Sequence, residues 1–294
     1  MSASKSIQEI QEINEKIEAG KVNVCTDAEL WSRLKQGATP SSIDLDVLVT
    51  AFSSSIRGAA AMVLIPVAER GVFTRARNIW LNDVKGHPGP APNERLGVVD
   101  TLIFADERID GDAGKLPAGT RLLIDLLDGS EIRVKCLSEE GGTYQNQCRM
   151  AELEYATMVT YNTFLPDRLG TLLSCASAEA PIMTGPGSKM LLNGSPGIVI
   201  GRGSRNRAGH ASISLSASMF AMNPNNVGRN GDDVTISVAI PIAVVNQEIL
   251  ADICNSLLQH PDPGLVQVSP IDAEAGAYLK NLVTQGRFKL SAVN

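Results

Sequence analysis

The sequence predicts an α/β protein: a mixed-sheet, glycine-rich single large domain with peripheral helices. Three observations carry this reading. Helix-like and strand-like segments alternate from the start of the chain, aromatics make up only 4% of the residues, and glycines punctuate the second half. Small and β-branched side chains suit layered sheet with close backbone approach better than a bundle of long helices. The expected division is a body over 1–260 and an extension, 261–294, packing on it.

The elements follow in order. Ile7, Ile10, Ile13 and Ile17 recur at helical spacing, Ser6 with Glu9 reads as a capping box, and Gly20 ends the helix. A short strand over Lys21–Cys25 leads to a helix that opens at Thr26-Asp27-Ala28-Glu29 and runs to Lys35. Ile43–Phe52 is a β-rich apolar run, followed by the small-residue stretch of residues 53–61. Residues 86–95 form a Pro/Gly loop. Strands are expected at Val98–Phe104, Arg121–Leu127 and Glu131–Leu137, the last two joined as a hairpin through Asp128-Gly129. A helix is expected over Arg149–Tyr155, strands at Lys189–Leu192, Gly197–Ile200 and Val234–Val245, and a helix over Gln247–Leu258.

Composition narrows the function. At 294 residues, with 44% hydrophobic and 20% charged residues, the chain has an ordinary soluble globular makeup. A formal charge of −6 argues against nucleic acid or an anionic membrane as partner. No apolar run approaches the roughly 20 residues that span a bilayer. The start is polar and lacks an apolar signal core, so the expected compartment is the cytosol. The five cysteines are widely spaced and contain no CxxC pair, so neither a disulfide framework nor a metal or iron–sulfur site is expected.

Cys148 is the thiol of most interest. A glycine-rich turn leads to it, Arg149 follows, and the expected helix start would lower its pKa by favouring the thiolate. The competing reading is a small buried hydrophobe. Cys25, Cys136 and Cys254 lie in apolar runs and read as core, whereas Cys175 is left unassigned. In NGSPGIVIGRGSRNRAGH, glycine N–H groups with Arg202, Arg205 and Arg207 fit either a carboxylate, sulfonate or phosphate pocket or a solvated surface turn. Gly201-x-Gly203 lacks the third glycine of a dinucleotide fingerprint. His210 stands out among three scattered histidines by its nearness to those arginines. Asn82-Asp83 either presents polar groups into a cleft or forms a simple turn.

Taken in order, several segments resemble the homocysteine-biosynthesis family, which includes the aspartate-semialdehyde sulfurtransferases of methanogens and other anaerobes. They are IQEINEKIEAGKVNVCTDAEL, ARNIWLNDV, LGVVDTLIFAD, LPAGTRLLIDLLDGSEIRVKC and the GT…C element Gly142–Cys148. DRLGTLL, LLNGSPGIVIGRGS and ISVAIPIAVVNQEILADI continue the match, so that it covers roughly residues 6–255.

The resemblance implies a sulfurtransferase in which a cysteine persulfide delivers sulfur to an aldehyde carbon and reduction yields a thiol. Cys148 takes the place of the family's GT-x-C cysteine, with two more residues between Thr and Cys. Ser55 falls near the place of a second family cysteine, in FSSSIRGAA. A two-thiol mechanism then needs Cys175 or a partner. The substrate would be a small anionic aldehyde, either aspartate semialdehyde giving homocysteine or sulfoacetaldehyde giving coenzyme M. Arg202 or Arg205 would grip the anion, with Asn82, Asp83, Ser55 and His210 around the substrate. No bound cofactor is expected; a sulfide donor and an external reductant are, together with an electron-donor protein or second subunit and self-association. The alternatives are a non-catalytic subunit and a lyase or isomerase using Asp83 and His210 as acid and base.

Overall fold

The structure, a computed structural model, describes residues 3–109, 116–165, 185–202, 212–230, 233–259 and 269–291. The helices are α1 (Ala3–Glu18), α2 (Asp27–Lys35), α3 (Ala118–Leu127), α4 (Gln247–Gln259) and α5 (Pro270–Thr284). The first strands are β1 (Val24–Thr26), β2 (Val47–Ser55), β3 (Ala59–Pro66), β4 (Ala76–Leu81), β5 (Val84–Pro88), β6 (Val98–Phe104) and β7 (Ile132–Ser138). They are followed by β8 (Thr143–Cys148), β9 (Ala156–Phe164), β10 (Lys189–Leu192), β11 (Ser195–Arg202), β12 (Ser212–Ser218), β13 (Val227–Asn230) and β14 (Asp233–Ala243). The chain is α/β with a mixed sheet, as its composition predicts. It divides into two compact units: residues 1–54, 162–215 and 237–294 form the first, and residues 55–161 and 216–236 the second.

In the first unit β1, α2 and β2 form a βαβ crossover, with Val24 opposite Val47 in a parallel pair. Thr26 caps α2: its hydroxyl accepts from Glu29 N while Glu29 Oε2 accepts from Thr26 N, so two donors of the helix start are satisfied at once. Antiparallel β10 and β11 meet in a two-residue turn, Asn193-Gly194, both at positive φ. Asn193 also exchanges backbone and side-chain hydrogen bonds with Ser237 of β14. The core buries Ile10, Ile13 and Ile17 of α1 with Val47 and Val49 of β2 and Leu279 and Val283 of α5.

The second unit is an antiparallel sheet in the order β9-β3-β6-β5-β4-β7-β8. Helix α3 packs on β5 and β6 through buried Leu122, Leu123 and Leu126; burying each such side chain contributes about 1.5–3 kcal/mol. Three contacts fix its first turn at the end of β6. Gly119 N donates to Glu107 O at 2.9 Å, and Thr120 Oγ1 donates to Ala105 O at 2.7 Å. A Cβ on Gly119 would lie 2.0 Å from Phe104 O, which only glycine avoids.

Three local expectations are corrected. Residues 121–127 belong to α3 and are not a strand. Asp128-Gly129 ends that helix, since Gly129 adopts φ +72° and the N–H groups of Gly129 and Ser130 return to Leu126 O and Asp125 O. The helix expected over 149–155 is a single 3-10 turn, Met150–Glu152. Helix α1 starts at Ala3, so Ser6 and Glu9 lie within it and not at its cap.

Gly119→Ala is expected to lower unfolding stability by about 1–3 kcal/mol, the cost of forcing a methyl against fixed backbone. Chemical denaturation measures it, and an unchanged midpoint would contradict the close docking of α3.

Candidate functional site

Asn82 and Asp83 are the two central residues of the β4–β5 hairpin, at φ 48° and 67°, where Leu81 pairs with Val84. Short polar side chains tolerate this left-handed backbone best. Asn82 N and Oδ1 bond Arg133 O and N, each at 2.9 Å, which locks the turn to β7. Asp83 Oδ2 pairs with Arg133 Nη2 at 3.0 Å. The segment is therefore a tight turn and also lines concavities on two sides.

On Asp83's side lies an open groove of about 690 Å³ on the outer face of β4, β7 and β8. Trp80, Arg133, Lys135 and Gln147 line it, with Lys135 Nζ 5.5 Å from the Trp80 ring centroid. On Asn82's side lies a cleft of about 360 Å³ against α3. Val84, Ile109, Leu116, Leu122 and Val234 give it apolar walls, and Arg121, Asp125 and Asn82 supply its polar groups. Arg121 and Asp125 are both half-buried and stand one helical turn apart. Arg121 Nη1 donates to Leu116 O at 3.0 Å, which holds the guanidinium at the cleft. An open cleft of this size, with mixed polar and apolar lining, is large enough to take a small molecule. Reading residues 121–127 as a strand hid it: the R-x-x-x-D spacing places both charges on one face only in a helix.

Ser55 is not among the described residues that line this cleft. Its hydroxyl is 3.5 Å from Asp233 Oδ1, and Asp233 immediately precedes the lining residue Val234. It also accepts from Arg57 N.

Cys148 ends β8 opposite Ile132 and is 1% exposed. Side chains alternate along a strand, so Gln147 faces the groove and Cys148 faces inward. The expected pKa lowering does not occur. Burial, followed by the nearby Glu152 carboxylate, pushes the thiol up to about 11. No α-helix starts here, and Arg149 pairs with Glu131 at 3.4 Å. Cys25 and Cys136 are likewise buried and raised, to about 12 and about 11, and burial also raises Cys254.

Arg202 ends β11 in the first unit, and its side chain lies outside the described residues. Arg205, Arg207, His210 and Cys175 also lie outside them. Among the described residues no group of three or more His, Cys, Asp or Glu side chains is placed to hold a metal ion, and no helix is long and apolar enough to cross a membrane.

The structure thus presents an α/β protein with a metabolite-sized cleft and deeply buried thiols. Residues 22–166, which supply every lining residue of that cleft named above except Val234, match the family described as homocysteine biosynthesis enzyme, sulfur-incorporation. Over this segment, nearly half of its length, the chain is similar to that family. A protein of Methanothermobacter thermautotrophicus described as uncharacterized is 30% identical over 83% of this chain and 64% of its own length. L-aspartate semialdehyde sulfurtransferases of Methanosarcina acetivorans and Methanocaldococcus jannaschii are 22% and 24% identical, each over 82% of this chain and 55% of the relative. The chain therefore spans between about half and two thirds of these relatives' lengths. No solved structure matches it.

At pH 7.5 the thiolate fraction of Cys148 is expected to be about 100-fold below that of a thiol at its ordinary value, two pH units lower. Alkylation followed by peptide mapping should be correspondingly slow and rise about tenfold per pH unit toward pH 11. A rate that matches free cysteine, or that levels off near neutrality, would contradict the buried thiol. The native state also keeps a proton that the unfolded chain releases, so this group's contribution to stability falls as pH rises from about 9 toward 11.

Proposed function

We propose that the chain acts in sulfur incorporation, converting a small anionic aldehyde to the corresponding thiol. The observation that carries this reading is that the family-matching segment 22–166 builds the cleft beside α3, a site of metabolite size. The names of the two sulfurtransferase relatives support aspartate semialdehyde as substrate and homocysteine as product; sulfoacetaldehyde giving coenzyme M is the rival pair.

With sulfide as donor, the aldehyde takes up H₂S, two electrons and two protons, and releases the thiol and one water. With a persulfide as donor, sulfane sulfur is transferred and two further electrons and protons are consumed. The electrons come from an external reductant or an electron-donor protein. In the persulfide route Cys148 carries the sulfur. It sits at the end of β8, the outermost strand of the described order, and residues 143–147 before it are largely exposed. Local opening of this strand gives the thiol a way to reagents without unfolding the unit.

A second reading has a specific observation in its favour. Cys148 is buried with a raised pKa, and Ser55 stands where the family resemblance puts a loop cysteine. In that reading the chain holds the aldehyde, and a partner subunit supplies the thiol.

Intact-mass measurement after incubation with polysulfide, with peptide mapping and a Cys148→Ser control, separates the two. Gain of one sulfur atom on Cys148, absent in the variant, is the expected result for the first reading. An unmodified Cys148 removes its carrier role and favours the partner thiol.

A further inference from the structure

The family reading leaves two kinds of aldehyde in play: one with an α-amino acid end, and one with only an anionic end. The cleft beside α3 distinguishes them. Among the described residues its two charged side chains are opposite in sign and one helical turn apart on the same half-buried face. A guanidinium offers planar paired donors that fit a carboxylate, and an aspartate accepts from an ammonium. The Asn82 Oδ1 is engaged by Arg133 N, so its Nδ2 is the remaining polar group of that amide and a further donor at the rim. Beside these groups, Ile109 and the half-buried Leu116 offer apolar surface to a short methylene chain.

We propose that Arg121 and Asp125 are the specificity-determining residues of this cleft, reading the carboxylate and ammonium of an α-amino acid together. The proposal rests on the sulfur-incorporation reading for the identity of the ligand's other end, and on the cleft alone for the zwitterion. Arg121 is fixed by Leu116 O, a backbone anchor that sets its plane before a ligand arrives. Asp125 works by exclusion as well as attraction. A sulfonate or carboxylate ligand without an ammonium sets a second anion near it, and discrimination of this kind comes from the repulsive element as much as the attractive one.

The test is calorimetric binding to the full chain under reducing conditions, with three thiol probes: L-homocysteine, 4-mercaptobutyrate, which lacks the ammonium, and 2-mercaptoethanesulfonate. The wild type is expected to bind homocysteine at least about tenfold tighter than either other thiol. Asp125→Asn should erase that gap by weakening homocysteine, while 4-mercaptobutyrate binds as well or better. Arg121→Gln should weaken both carboxylates about tenfold or more. Thermal unfolding of each variant checks that the fold is retained, and Asp125→Asn carries the test if Arg121→Gln does not fold.

Homocysteine bound no better than 4-mercaptobutyrate, a preference that survives Asp125→Asn, or no binding of any thiol would each overturn the proposal. The readout needs no sulfur donor or reductant. Selective binding without turnover would therefore sink the sulfur-incorporation reading and leave the cleft's specificity standing, whereas turnover without this selectivity would do the reverse.

Discussion

The second unit depends on how the first turn of α3 seats on the end of β6. Gly119 brings helix backbone so close to Phe104 O that no side chain fits between them, and hydrogen bonds to Ala105 O and Glu107 O replace the contacts a side chain would have made. That seating sets the rotation of the helix. Leu122, Leu123 and Leu126 then go under, and Arg121 and Asp125 come up at the edge beside the Asn82 turn. The turn is held separately, by the reciprocal bonds between Asn82 and Arg133. A cleft whose two walls are fixed by backbone contacts is organised before any ligand enters, which spares a small metabolite the cost of ordering it.

The thiols behave differently from what a sulfur-handling protein suggests at first sight. Each described cysteine is buried, and burial raises each pKa by disfavouring the thiolate. At neutral pH such groups are poor nucleophiles and poor leaving groups. Among the described thiols, sulfur chemistry then requires that β8 open at its end or that sulfur arrive on another molecule. Both routes keep the aldehyde site and the thiol as separate structural problems, with the cleft prepared in advance and the sulfur delivered to it.

Much of the fold was legible because strong periodicity and turn chemistry agree. The isoleucine stripe of α1 with Gly20 at its end, the Thr26/Glu29 cap, β6, β10 and α4 all stand within a residue or two of where pattern places them, apart from the extra turn at the start of α1. The cleft was not legible, for a specific reason. Arg121–Leu127 is a short apolar run whose periodicity fits strand or helix alike, and Asp-Gly after it serves a hairpin turn or a helix end equally well. What decides between them is Gly119 against β6, a tertiary contact invisible in the local pattern. Cys148 departs from expectation for a related reason: no α-helix starts after it, Glu131 pairs with the adjacent Arg149, and strand alternation turns the thiol inward. Asn82-Asp83 was legible as a choice between turn and cleft, and the fold makes it both.

The central claim is that this cleft presents an aldehyde for sulfur incorporation, and product formation tests it most directly. The purified chain would be incubated anaerobically with aspartate semialdehyde, sulfide and a low-potential reductant, and homocysteine followed by mass spectrometry against a protein-free control. The account predicts homocysteine above the control that depends on protein, sulfide and reductant and falls in Arg121→Gln. Formation no faster than in the protein-free control, even with added polysulfide as donor or a partner thiol protein, would contradict it.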